Sequence, residues 1–208
     1  MAFSLAPRKT VESLTLWRPP LEGRTGKIRL DLNENTAGPS PRVLEVLSSL
    51  GPEDLASYPE YAEADRKLAR QFHIEDGQVL LSNGGEESIR HIIDAFLDAG
   101  TEVILPVPTF SMFRFYFDLL MIKVREIPYK EGFAFPLAEV LSAIGDGPRA
   151  LFLSTPNHAT GVPILLAEIQ EILQVARDKN CLVFIDEAYY DFHGQTSLPW
   201  LLEYPNLV

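Results

Sequence analysis

The sequence predicts an α/β fold: a three-layer α/β/α domain with a mostly parallel sheet, preceded by an N-terminal arm. Three observations carry this. From Val79 onward, short apolar runs alternate with longer segments of helical period. Two of the runs, Ala150-Leu151-Phe152-Leu153 and Cys181-Leu182-Val183-Phe184-Ile185, are apolar without alternation, the mark of strands covered on both faces. Polar and glycine-rich clusters gather at the carboxyl ends of the runs and not at the opposite ends, and in such sheets ligands bind at the carboxyl ends.

The elements follow in order. Residues 1 to about 30 hold Pro19-Pro20 and little periodicity, and read as an arm lying on something else. Ile28 to Leu32 alternates like a short strand, and Asn33-Glu34-Asn35 is either a turn or a substrate-contacting loop. A helix is expected over Pro41–Leu50, with Ser40 as N-cap and Pro41 in its first position. Tyr58-Pro59-Glu60 is a loop, and a second helix runs from about Ala62 to Phe72. Val79-Leu80-Leu81 reads as a strand, and Ser82 to Glu87 as a Gly-rich turn. The next helix carries Ile89, Ile92, Ile93, Phe96 and Leu97 on one face, and Gly100 stops it. Strands at Glu102–Pro106, Ile122–Ile127, Ala150–Leu153 and Cys181–Ile185 alternate with helices at Thr109–Leu120, Pro136–Ile144 and Pro163–Lys179. Residues 1–45 are assigned to the arm and a contribution to a small domain. Residues 46–208 are assigned to a large domain.

Bulk composition narrows the function. The 208 residues are 46% hydrophobic, enough for a core, and the net charge of -11 with no basic run argues against a nucleic-acid partner. The single cysteine, Cys181, sits in an apolar strand and is expected to pack in the core. No disulfide framework is available, which suits a cytoplasmic location. No apolar run is long enough to span a bilayer, so no membrane association is expected. The four His and one Cys lack metal-ligand spacing, and no metal is expected.

The clusters carry the chemistry. A Gly-Gly turn opening a helix offers free amides and a positive dipole end to a phosphate, or is simply a turn. Phe110 is a core side chain or a stacking platform. Asn157 and His158 bind a hydroxyl or hold their loop. Asp186, at the end of a buried strand, is a capping or salt-bridged carboxylate, or faces a cationic ligand atom. Together, a phosphate seat, an aromatic face, hydrogen-bonding groups and a buried carboxylate suit a planar, cationic, phosphorylated ring. Pyridoxal phosphate has those features, and an Asp against its pyridinium nitrogen keeps that nitrogen protonated.

Leu32 to Asn35, Tyr58 to Glu60, Gly84 to Glu87, Pro106 to Phe110, Ser154 to Gly161 and Asp186 to Tyr189 stand in the order and spacing of a known family. The chain resembles the fold-type I pyridoxal-phosphate-dependent aminotransferases of class I/II, nearest the histidinol-phosphate aminotransferase branch. The resemblance runs from about Leu30 to the last residue. It implies that the backbone amides of Gly85 and Glu86 hold the cofactor phosphate and that Phe110 stacks on the ring. It also implies that Asp186 meets the ring nitrogen and Tyr189 the phenolic oxygen. Tyr58 is implied to reach the cofactor phosphate of a second subunit, hence a homodimer, and Asn35 to contact substrate. The implied reaction moves an amino group between an amino acid or histidinol phosphate and a 2-oxo acid. A decarboxylase of the same branch, a non-catalytic truncated product and an unrelated doubly wound nucleotide-binding domain are the alternatives. The absence of Gly-x-Gly-x-x-Gly and Gly-Lys-Ser/Thr motifs counts against the last.

Two departures from the family pattern stand out. His158-Ala159-Thr160-Gly161 replaces the usual Asn-Pro-Thr-Gly, so an imidazole stands where an amide donates to the phenolic oxygen; Asn157 beside it is a second candidate. The family's Schiff-base lysine lies beyond Asp186, and no Lys follows Asp186 here; Lys179 is the last. The chain is therefore expected to be a truncated form, its large domain incomplete at the C-terminus, with unpaired strand edges and without a catalytic lysine of its own.

Overall fold

The computed structural model describes residues 6–14, 21–145 and 147–208. In chain order its helices are α1 (Lys9–Glu12), α2 (Pro41–Ser49), α3 (Pro52–Ala56), α4 (Tyr61–Phe72), α5 (Gly85–Phe96), α6 (Ser111–Leu120), α7 (Leu137–Ile144), α8 (Leu166–Asp178) and α9 (Tyr190–His193). Strands β1 (Glu102–Val107), β2 (Lys123–Pro128), β3 (Ala150–Ser154) and β4 (Leu182–Asp186) form one parallel sheet in the spatial order β2-β1-β3-β4. Two compact units divide the chain: residues 1–14 with 65–208, and residues 15–64.

Strict alternation along the strands sorts their side chains onto two faces, because successive Cβ atoms point to opposite sides. On one face Ile104, Leu151, Leu153, Val183 and Ile185 pack with Val140 and Ile144 of α7 and with Ile169, Ile172 and Leu173 of α8. On the other, Val103, Leu105, Ala150, Phe152, Leu182 and Phe184 pack with Ile89 and Ile93 of α5 and Phe113 and Phe117 of α6. The result is the three-layer α/β/α arrangement expected from the apolar runs. Cys181 lies in the first of these cores, and burial pushes its thiol up to about 11, so it stays protonated as a packing group.

The strand order places the chain's change of direction between β1 and β3. From β1 the chain passes through α6 to β2 on one side, then returns through α7 to β3 on the other. The carboxyl ends of β1 and β3 therefore diverge into loops that leave in opposite directions, which opens a crevice at that edge. The loops that border it hold Phe110 and Asn157 to His158.

Several expected elements differ. Ile28 to Leu32 forms no strand; Ile28 and Leu30 are exposed, and Arg24 holds Asp31 and Glu34 in ion pairs of 2.7 Å instead. Val79-Leu80-Leu81 joins no ladder. Val79 and Leu80 line a cleft of about 650 Å³, lined also by Phe72, Ile185, Leu207 and Val208. Leu207 pairs in parallel with Val183 beyond β4, and the Val208 amide donates to the Val183 carbonyl at 3.0 Å. Pro163 does not open α8, which starts at Leu166; there the Leu165 amide is capped by Glu168 at 2.9 Å. The arm's Pro19-Pro20 lie outside the described residues, while Arg8, just before α1, donates to the Leu119 carbonyl of α6 at 3.3 Å. No described helix is long and apolar enough to cross a membrane.

Candidate functional site

Asp186 is the last residue of β4, and its carbonyl accepts from the Thr155 amide at 2.9 Å, which locks the strand end to the loop after β3. One carboxylate oxygen, Oδ1, accepts from the Ala188 amide at 3.0 Å. Burial raises the pKa of this carboxyl. The Ala188 N–H and the nearby His158 pull it back, and Glu187 adds to the rise. Among the described residues no Lys or Arg contributes to its field. A carboxylate in that position favours a cationic or N–H-bearing partner from outside the chain.

Around it three rings converge. His158 Nδ1 lies 2.7 Å from the Tyr189 hydroxyl. The imidazole sits 4.9 Å from the Phe110 ring, tilted by 56°. Phe110 is steadied from beneath by the edge of the buried Phe113, 6.0 Å away at 83°. The four residues come from the ends of β1, β3 and β4, so the sheet itself sets their spacing.

Asn157 is placed differently from its neighbour. It is 2% exposed, and its amide is fully engaged within the protein. Nδ2 donates to the Pro108 carbonyl at 3.1 Å and to the Tyr129 hydroxyl at 3.2 Å, and Oδ1 accepts from the amides of Ala159 at 2.8 Å and Thr160 at 3.1 Å. Two donors and two acceptor positions are all that a side-chain amide has. The loop-holding alternative describes Asn157, and His158 is the one aimed at the crevice.

Gly85 is the first residue of α5. Gly84 precedes it at φ +91°, a left-handed conformation that favours glycine, and neither glycine has an atom within 4 Å of a side-chain position. The amides of a first helical turn lack intrahelical partners and share the positive dipole end, so those of Gly85 and Glu86 are the kind of donors that suit an anion. Ser82 Oγ and Ser88 Oγ, 2.6 Å apart, close the turn.

The two remaining candidates belong to the 15–64 unit. Asn35 closes an Asx turn: its Nδ2 donates to the Gly38 carbonyl at 2.9 Å and its Oδ1 accepts from the Ala37 amide at 3.2 Å. Tyr58 is 99% exposed in the loop before α4, a position without packing cause for an aromatic ring.

Two residues escaped the sequence reading. Tyr129, just past β2, supplies the hydroxyl that Asn157 meets; an aromatic with a polar tip at a carboxyl strand end was the available signal. Glu187 accepts from Thr196 Oγ1 at 2.6 Å and from the Ser197 amide and Oγ at 2.7 Å each, which ties the loop after α9 beneath the site. Glu187→Ala strands the buried Ser197 hydroxyl and is expected to cost about 2–3 kcal/mol, read as a lower urea midpoint. Glu187→Gln keeps an acceptor and should cost less.

The donor set fits a pyridoxal-type cofactor: a carboxylate faced by no Lys or Arg among the described residues, an aromatic face, a hydroxyl–imidazole pair and first-turn helix amides suited to an anion. Over residues 25–208 the chain matches the profile of the aminotransferase class I and II family. It is similar to histidinol-phosphate aminotransferase of Dehalococcoides mccartyi, with 32% identity over 181 residues, covering 87% of this chain and 49% of that one. The corresponding protein of Lactococcus lactis subsp. cremoris is 34% identical, with coverage of 88% and 51%. Among solved structures, histidinol-phosphate aminotransferase from Sinorhizobium meliloti in complex with pyridoxal-5'-phosphate aligns with a TM-score of 0.84 and 22% identity. That alignment covers 99% of this chain and 58% of that one, and at this identity it speaks for the fold. The chain spans about half the length of the curated relatives it matches. On the family match across nearly its whole length, the chain belongs to the class I and II aminotransferases.

Proposed function

We propose that this chain forms the cofactor-binding part of a pyridoxal 5'-phosphate-dependent aminotransferase of the histidinol-phosphate type. The amino group would pass between an amino acid or histidinol phosphate and a 2-oxo acid. The observation that carries this reading is Asp186: a carboxylate at a strand end, its pKa raised by burial, faced by no Lys or Arg among the described residues. In the proposal it meets the pyridine nitrogen, and that contact restores the ionised form that burial disfavours. Phe110 covers one face of the ring. The His158–Tyr189 pair donates to the phenolic oxygen, and the amides of Gly85 and Glu86 hold the phosphate. Asn157 keeps the His158 loop in place. Tyr58 reaches the phosphate of a second subunit, which makes the active form a homodimer, and Asn35 borders the substrate. When bound, the protonated pyridine ring acts as an electron sink for a carbanion at the substrate's α-carbon. The apolar wall of Phe110, Phe113 and Phe184 excludes water from the Asp186 side and strengthens the charge contact there.

The test is a titration of the 208-residue chain with pyridoxal phosphate, followed by near-ultraviolet absorbance and induced circular dichroism. A saturable signal at one cofactor per chain is expected. A response that grows linearly without induced dichroism overturns the reading.

A further inference from the structure

We propose that Tyr129 is a positioning residue for the site: acting through the amide of Asn157, it fixes His158 against Tyr189 and Phe110. The proposal rests on the reading of the His158–Tyr189 pair as the group that faces the cofactor.

Tyr129 touches neither partner ring of His158, yet it is the fixed end of the chain of contacts that leads there. Its amide donates to the Val107 carbonyl at the end of β1, at 2.8 Å. Its ring meets Phe135 edge-on at 5.8 Å and 70°. Backbone and ring are both held, so the hydroxyl is an acceptor with little freedom. Burial pushes the phenol's pKa up and the Asn157 N–H pulls it back, so the hydroxyl is neutral at neutral pH.

Asn157 hangs between this hydroxyl and the Pro108 carbonyl, 3.2 and 3.1 Å from its Nδ2. With Nδ2 tied, Oδ1 is turned toward the amides of Ala159 and Thr160. The backbone of Asn157 is also fixed, its amide donating to the Val162 carbonyl at 2.9 Å and its carbonyl accepting from Gly161 at 2.8 Å. His158 is the residue between the bonded Asn157 and the bonded Ala159. Its main chain is therefore clamped on both sides, and the 2.7 Å approach of Nδ1 to Tyr189 depends on that clamp. The same amide holds Pro108, two residues before Phe110, so one side chain ties the His158 loop to the segment that carries the Phe110 wall. An amide free to swing would release Ala159 and Thr160 and let the imidazole turn toward solvent.

The experiment reads the imidazole directly. In the ¹⁵N-labelled 208-residue chain, the Nδ1 resonance of His158 is assigned by its loss in His158→Gln. Tyr189→Phe removes the hydrogen bond itself and defines the full displacement of that resonance. Tyr129→Phe is expected to move it by at least half as much, and Asn157→Asp, which loses both N–H donors but keeps the acceptor, to do the same. Phe135→Leu, which loosens the packing of Tyr129 while sparing its hydroxyl, should leave the resonance in place. Pyridoxal phosphate affinity should fall roughly fivefold in Tyr129→Phe, the effect of one neutral hydrogen bond. A resonance that stays put in both Tyr129→Phe and Asn157→Asp, or one that moves equally in Phe135→Leu, overturns the proposal and leaves Tyr129 a packing residue. If wild type binds no pyridoxal phosphate while the resonance follows the expected pattern, the cofactor reading fails and the positioning role stands.

Discussion

Replacing Asp186 with Asn is expected to stabilise the cofactor-free chain at neutral pH and to weaken pyridoxal phosphate binding by roughly 10²–10³-fold. The two effects have one origin. Burial holds the Asp186 pKa above its ordinary value in the folded chain. The folded state therefore prefers the protonated carboxyl. The stability this contributes is complete below the ordinary aspartate range and is lost as pH rises through the raised value. Above that raised value the cofactor-free chain carries a partly buried, ionised carboxylate that no Lys or Arg meets among the described residues, and Asn removes that cost at nearly constant shape. Urea unfolding of wild type and Asp186→Asn should give curves that converge at acid pH and separate upward, with the variant more stable. Adding the cofactor should reverse the order, because the ring nitrogen supplies the proton and charge that the carboxylate lacks. Equal cofactor affinity in the two proteins would remove Asp186 from the site. A variant less stable than wild type at neutral pH without cofactor would mean that the carboxylate already has its partner within the chain.

Asp186 was also the most legible residue in the sequence, and the reason is local. A run such as Leu182 to Ile185 has no polar position to offer solvent, so it must be covered on both faces, and a carboxylate at its end must then stand at a strand terminus. The same reasoning gave β3 and the α5 stripe. The side chains of β3 divide between the two cores as alternation requires, while the α5 stripe, set by helical period, packs in one of them. What could not be read is what depends on distant partners. Val79-Leu80-Leu81 has the composition of a strand, but a strand exists only where a neighbour supplies its ladder, and among the described residues none does. Ile28 to Leu32 alternates equally well, yet Arg24 gathers Asp31 and Glu34 into ion pairs that a strand's pleat would point apart. The spatial order β2-β1-β3-β4 leaves no trace in a linear pattern, and with it went the role of Tyr129. Only that order brings the end of β2 close enough for its hydroxyl to meet Asn157. Asn157 and His158 looked equivalent as adjacent polar residues in one loop. The turn sends one side chain inward and the other to the crevice, and sequence alone does not say which.

Phe113→Ala is expected to be the most destabilising single change in the core beneath the site, at about 3–5 kcal/mol. Phe113 is fully buried and joins three elements: its ring meets Phe152 of β3 at 5.7 Å, Phe184 of β4 at 6.0 Å and Phe110 at the start of α6 at 6.0 Å, all close to edge-to-face. Edge-to-face pairs add to the burial of area, so truncation loses transfer energy, ring–ring attraction and the packing of the cavity wall together. A loss of that size is a large share of the total stability of a domain. Phe113→Leu keeps most of the volume and should cost less than half as much. Phe192→Ala, at a ring 89% exposed, should stay within about 0.5 kcal/mol and serves as the reference for removing an aromatic without a cavity. The urea midpoint measures the first effect, and the cofactor titration measures a second. Phe110 leans on Phe113, so a cavity there lets the stacking face tilt, and affinity for the cofactor should fall in Phe113→Ala even under conditions where the variant remains folded. Unchanged affinity in the folded variant would show that Phe110 is held by His158 and its own helix start alone, and that the core below contributes stability without shaping the site.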